Sequence, residues 1–148
     1  MPISKILSGS LDSGKVLQVV SNVVTNTQVQ TNSQSYVDAT LTCAITPTSS
    51  SSKVLALVTT QTITSSSGDY GRFGLKRGST DLEGGKLFAA KENNDWATIF
   101  FHYLDSPATT SATTYTLRFS SYAGSNYVYI GWVGNGGAQV MTLMEISA

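Results

Sequence analysis

The stretch YVDATLTCAIT, beginning at Tyr36, is the clearest pattern in the chain. Val37, Ala39, Leu41, Cys43 and Ile45 fall on one side of it, and Tyr36, Asp38, Thr40, Thr42 and Ala44 on the other. Successive side chains of a β-strand point to opposite faces, whereas a helix repeats every 3.6 residues, so this period of two predicts a strand with one face in a core and the other mostly polar. Pro47 and the serines at 49–52 then end it, because proline cannot donate to a ladder and serine clusters mark turns.

Other segments read the same way. KVLQVVSNVV, Lys15–Val24, is rich in β-branched residues and apolar on both sides, as expected of a strand covered twice or lying at a subunit contact. KVLALVTTQTIT, from Lys53, is apolar on both faces for its first half. GRFGLKRGS is a short strand with Phe73 and Leu75 on one side, flanked by a turn at Ser65–Tyr70 and a Gly-rich loop at Asp81–Lys86. DWATIFFHYL, Asp95–Leu104, sets Trp96, Phe100 and His102 opposite Ile99, Phe101 and Tyr103. After the polar connection DSPATTSAT, the segments TYTLRFS, NYVYIGWVG and QVMTLMEIS complete the set. The apolar run Val140–Ile146 beside the C-terminus implies a last strand held by neighbours on both sides.

About eight strands with turn signals between them predict an all-β, eight-stranded, jelly-roll-like antiparallel sandwich. The expected organisation is one domain over residues 15–148, preceded by a short N-terminal arm over residues 1–14 that carries Ile3, Ile6 and Leu7. At 148 residues such a domain buries roughly 70% of its unfolded surface and needs no covalent staples. The single cysteine, Cys43, excludes an internal disulfide framework.

Charge narrows the function classes. Nine Lys and Arg balance nine Asp and Glu, and only 12% of residues are charged, which removes the drive for nucleic-acid or anionic-membrane binding. No apolar run is long enough to span a bilayer, and the N-terminus lacks the apolar region of a signal peptide. Neither nucleic acid nor membrane is an expected partner.

The chemistry-bearing residues do not form a catalytic set. His102 is the only histidine, and on an aromatic strand it reads as core or interface filling. Cys43 sits on the apolar side of its strand and reads as a small hydrophobe. TDLEGGKL lacks the first glycine and the hydroxyl residue of a phosphate-binding loop, and GNGGAQ lacks the third glycine of a dinucleotide fingerprint. Neither an enzyme nor a cofactor is expected, and no metal site is assigned.

The candidate ligand positions are KENNDW, where Asn93, Asn94 and Asp95 offer oxygens beside the aromatic platform of Trp96, and SYAGSNYVYIGW, where Tyr122 and Tyr127 offer rings for stacking on sugars. The same residues also fit an ordinary Asn/Asp turn and a core or subunit contact.

KVLQVV, YVDATLTCAITPTSSSSKVLALV, LKRGST, DSPATTSATTYTLRF and TLMEISA together resemble the β-sandwich modules at the C-termini of tail fibres and in other virion surface proteins of tailed bacteriophages. The resemblance spans Lys15–Ala148. It implies a homotrimeric jelly roll on the virion surface, assembled in the host cytoplasm, whose partners are copies of itself and the major capsid or tail proteins. It carries over no catalytic residue. Because coiled-coil heptads and collagen-like repeats are missing from the sequence, the resemblance points toward capsid decoration, with Ile3, Ile6 and Leu7 of the arm gripping the shell. The alternative is a receptor-binding fibre tip whose loops recognise host-surface glycans.

Overall fold

The computed structural model describes residues 13–65, 70–90, 96–131 and 137–148, with side chains described only to residue 82 in the strand that ends at residue 90. The expected arm therefore lies outside the described residues except at its last two positions. So do Asn93, Asn94 and Asp95.

Ten strands follow in chain order: β1 (Val16–Thr25), β2 (Val29–Thr31), β3 (Val37–Ile45), β4 (Lys53–Thr64), β5 (Tyr70–Arg77), β6 (Thr80–Ala90), β7 (Ala97–Asp105), β8 (Thr113–Ser121), β9 (Val128–Ile130) and β10 (Ala138–Ile146). They form two antiparallel sheets. In the first, β1 pairs with β10, β10 with β4, and β4 with β7, while the short β2 and β9 extend this sheet beside the far end of β4. The second runs β3-β8-β5-β6.

Because β2 continues the line of β1 and β9 that of β10, each pair is one long strand with an interruption. The eight resulting strands, numbered in chain order, lie in the orders 1-8-3-6 and 2-7-4-5. This is the jelly-roll arrangement, two interleaved Greek keys. The last strand does lie inside a sheet, between β1 and β4.

The alternation in β3 maps directly onto burial: Ala39, Leu41, Cys43 and Ile45 face the core. Opposite them, β4 contributes Val54, Ala56 and Val58, β7 Ile99 and Phe101, and β10 Met141 and Leu143. Phe73, Tyr115, Leu117 and Phe119 fill the space on the β3 side. Burial pushes the Cys43 thiol pKa up, the direction that keeps it protonated and inert.

One expectation is corrected. Asp81–Lys86 is not a loop but part of β6, because the two residues Gly78 and Ser79 already reverse the chain between β5 and β6. The glycines there mark an irregularity instead: the step from Leu82 to Leu87 faces the much shorter step from Leu75 to Phe73.

Two carboxylates lie inside. Asp105, expected in a polar connection, is the last residue of β7 and is buried, its Oδ2 accepting 2.6 Å hydrogen bonds from Arg77 Nη1 and the Tyr115 hydroxyl. Glu145, on the inward side of β10, accepts from the Thr48 backbone N–H and hydroxyl at 2.8 Å and from Gln18 Nε2 at 2.7 Å.

Burial alone would raise the Glu145 pKa, but the donors, Gln18 first among them, outweigh it and hold the carboxyl at about 2, below its ordinary 4.5. A carboxylate depressed in the folded state stabilises above its unfolded pKa and loses that contribution as pH falls through the folded one. Unfolding free energy should therefore drop by about 2 kcal/mol from this group as pH falls from 4.5 toward 2. Glu145→Gln should flatten this part of the profile, and denaturant unfolding at a series of pH values checks it. An unchanged slope in the variant would refute the assignment.

Candidate functional site

The two outward faces of the sandwich differ in kind. On the sheet containing β4, the register aligns side chains in rows across four strands. Val19, Met144, Leu55 and Leu104 form one such row, apolar from edge to edge. Val23, Val140, Thr59 and Phe100 form another, and Ser21, Thr142, Leu57 and His102 lie between them. Val19 is 54% exposed, Phe100 57% and Leu104 49%, so the apolar side chains at both margins stand in solvent. Among the described residues, the outward positions of β4, β7 and β10 hold one charged group, Lys53, at the end of β4.

The other sheet turns a polar, internally paired face outward. Arg118 bridges Asp38 and Asp81, and Lys76 shares Asp38. Arg118 and Arg72 both lie over the Tyr36 ring, at 5.9 and 5.6 Å from its centroid. Arg72 also donates to Ser120 Oγ at 3.0 Å and to the Ser121 carbonyl at 2.9 Å. A face of this kind is stable in water; one of rows of Val, Leu, Met and Phe is the composition of an interface core.

The sequence-predicted ligand residues separate. Trp96, just before β7, lines an open cleft of about 260 Å³ together with Gln28, Ile63, Thr64, Ser65 and Tyr129. Tyr127 stands beside this cleft, its ring 6.2 Å from that of Tyr129 and its backbone N–H bonded to Ser65 Oγ at 2.9 Å. Tyr122 goes elsewhere. Its ring meets Tyr70 edge-on at 5.6 Å and lies under Arg72, on the side of the arginine network.

The cleft residues from β4 and from the segment before β2 carry no local signal, because residues so far apart in sequence meet only through the β4–β9 and β2–β9 pairings. Tyr129 was legible as one of a cluster of rings in SYAGSNYVYIGW.

His102 is exposed on the apolar face and Cys43 is buried in the core, so the fold keeps the only histidine and the only cysteine apart. Among the described residues, no group of three or more His, Cys, Asp or Glu side chains is placed to hold a metal ion. No protein-family model and no curated protein matches the chain.

Proposed function

We propose that this chain is a non-enzymatic structural protein of a bacteriophage particle, a jelly roll that assembles as a homotrimer and is displayed on the virion surface as a capsid decoration protein. The observation that carries the reading is the contrast between the two outward faces: one sheet presents rows of apolar side chains, the other a paired network of Arg, Lys and Asp. A module built in this way has one side to bury and one to leave in water. The buried carboxylates Asp105 and Glu145 support the non-enzymatic reading, since each is spent on hydrogen bonds that hold strands and loops together. Its partners in this reading are its own copies and the major capsid or tail proteins.

The copy number of the protein in purified particles, measured by quantitative mass spectrometry against the major capsid protein, tests the proposal. Abundance comparable to the capsid protein supports decoration. A few copies per particle would move the protein to a tail or vertex, and absence from particles would remove the virion reading.

The cleft between Trp96 and Tyr129 favours a second reading, a receptor-binding tip that takes host-surface glycans, because two aromatic walls with the Gln28 amide and the Ser65 hydroxyl suit the apolar face and hydroxyls of a sugar ring. Under this reading Trp96→Ala lowers binding on a glycan array by at least tenfold while leaving the fold intact. Binding that survives the substitution, or none in the wild type, would count against it.

A further inference from the structure

We infer that the outer face of the β1-β10-β4-β7 sheet is the surface through which copies of this chain pack against one another. The inference rests on reading the chain as an assembling structural protein and names the face that such assembly uses.

Register supplies the first argument. A row of Val19, Met144, Leu55 and Leu104 crosses all four strands without a polar residue, and it reaches the edge strand β1, whose Val19 and Val23 are each more than half exposed. The inward neighbours of these residues already fill the core, while the outward Val19, Val23, Phe100 and Leu104 remain about half exposed. A sheet apolar on both sides is the pattern of a sheet covered on both sides.

Area is the second. Four strands spaced about 4.8 Å apart, with nine or so residues each rising about 3.3 Å, present roughly 500 Å² of flat sheet. Buried on two copies, this much surface amounts to about 1,000 Å², the lower bound for a specific interface. An isolated patch of this size on a monomer is already at the upper end of what soluble proteins expose.

Charge selects the occupant. The chain has no net charge, with nine basic and nine acidic residues, and the outward ion pairs of Arg118, Lys76, Asp38 and Asp81 lie on the opposite sheet, so two copies meeting through this face bring little mutual repulsion. Among the described residues the face supplies no cationic cluster for a membrane or nucleic acid, and its apolar rows suit burial against neighbouring copies around a common axis.

The test is the mass of the full chain by sedimentation equilibrium at micromolar concentration. The wild type should sediment as a multiple of its 15.7 kDa chain. Phe100→Glu with Leu104→Glu, both at exposed positions, should reduce it to a single chain while circular dichroism and thermal midpoint stay near wild type. Thr40→Glu, on the outward side of β3, should leave the assembly unchanged. A single-chain wild type, or a double variant that remains assembled, overturns the inference.

If the double variant does not fold, Leu104→Cys gives an independent reading, since Cys43 is buried. Its maleimide labelling should be slow in the assembled protein and fast after dilution; labelling equally fast at both concentrations overturns the inference. A wild type that is a single chain yet binds particles would overturn self-packing and leave the virion reading standing. An assembled protein absent from particles would do the reverse.

Discussion

Asp105→Ala should destabilise the fold by about 3–5 kcal/mol, lowering the thermal midpoint by roughly 10 °C. The carboxylate is buried at the end of β7 and ties three elements together: its own strand, β5 through Arg77, and β8 through the Tyr115 hydroxyl. Removing it leaves a guanidinium that is only one-quarter exposed without its counter-charge, and a fully buried phenol without an acceptor. Breaking a buried pair from one side costs more than the pair contributes, because the remaining group keeps its desolvation penalty.

The graded variants separate these contributions. Tyr115→Phe removes one hydrogen bond to a charged acceptor and should cost about 1–2 kcal/mol. Asp105→Asn keeps an oxygen for one donor and should fall between the two. Burial, with Asp105 beside it, pushes the Tyr115 pKa far up, so the hydroxyl stays a donor across the accessible pH range. Denaturant unfolding at fixed protein concentration measures all three. An Asp105→Ala loss under about 1 kcal/mol would mean that the network is not what joins β5, β7 and β8.

Gly131→Ala should cost about 3 kcal/mol or more, combining a left-handed backbone with a steric collision. Gly131 has φ of +74° at the break between β9 and β10, and its N–H donates to the Gln61 carbonyl at 3.0 Å. A Cβ there would drive into the Thr27 carbonyl oxygen and come within 2.5 Å of Gln139 Nε2. Backbone cannot step aside as a flexible side chain can. Thr27 belongs to the matching break between β1 and β2, so the two interrupted strands are stacked at the point where glycine is required.

Gly78 is the control. Its φ is +55°, but a Cβ would meet nothing within 4 Å, so Gly78→Ala should cost only the conformational penalty of about 1 kcal/mol. Equal losses at the two positions would show that the stacked breaks are not close-packed.

Much of the core was legible because its signal is local. Strict alternation in β3, and the one-sided sets Phe73 with Leu75 and Tyr115 with Leu117 and Phe119, put the right side chains inward. Trp96 stands out in the sequence because a large ring at a strand end is conspicuous, and the structure places it on the wall of the cleft. Asp105 and Glu145 were not, since a carboxylate at a strand end or in an apolar run looks the same in sequence whether it is solvated or bonded to Arg77 or Thr48. The Gly-rich stretch of β6 read as a loop because composition reports weak strand propensity, and pairing with β5 overrides it.

The sequence by itself determined the all-β class and which side of each strong strand faces the core, because a period of two is written residue by residue. Only the tertiary structure decided which strands became neighbours. Pairing β1 with β10, and β4 with both β10 and β7, turned separate outward Val, Leu, Met and Phe residues into continuous rows, and pairing the end of β4 with both β7 and β9 brought Trp96 and Tyr129 into one cleft. Faces and clefts are properties of register between distant segments, and register is set by the packing of the whole sandwich rather than by any one stretch of chain.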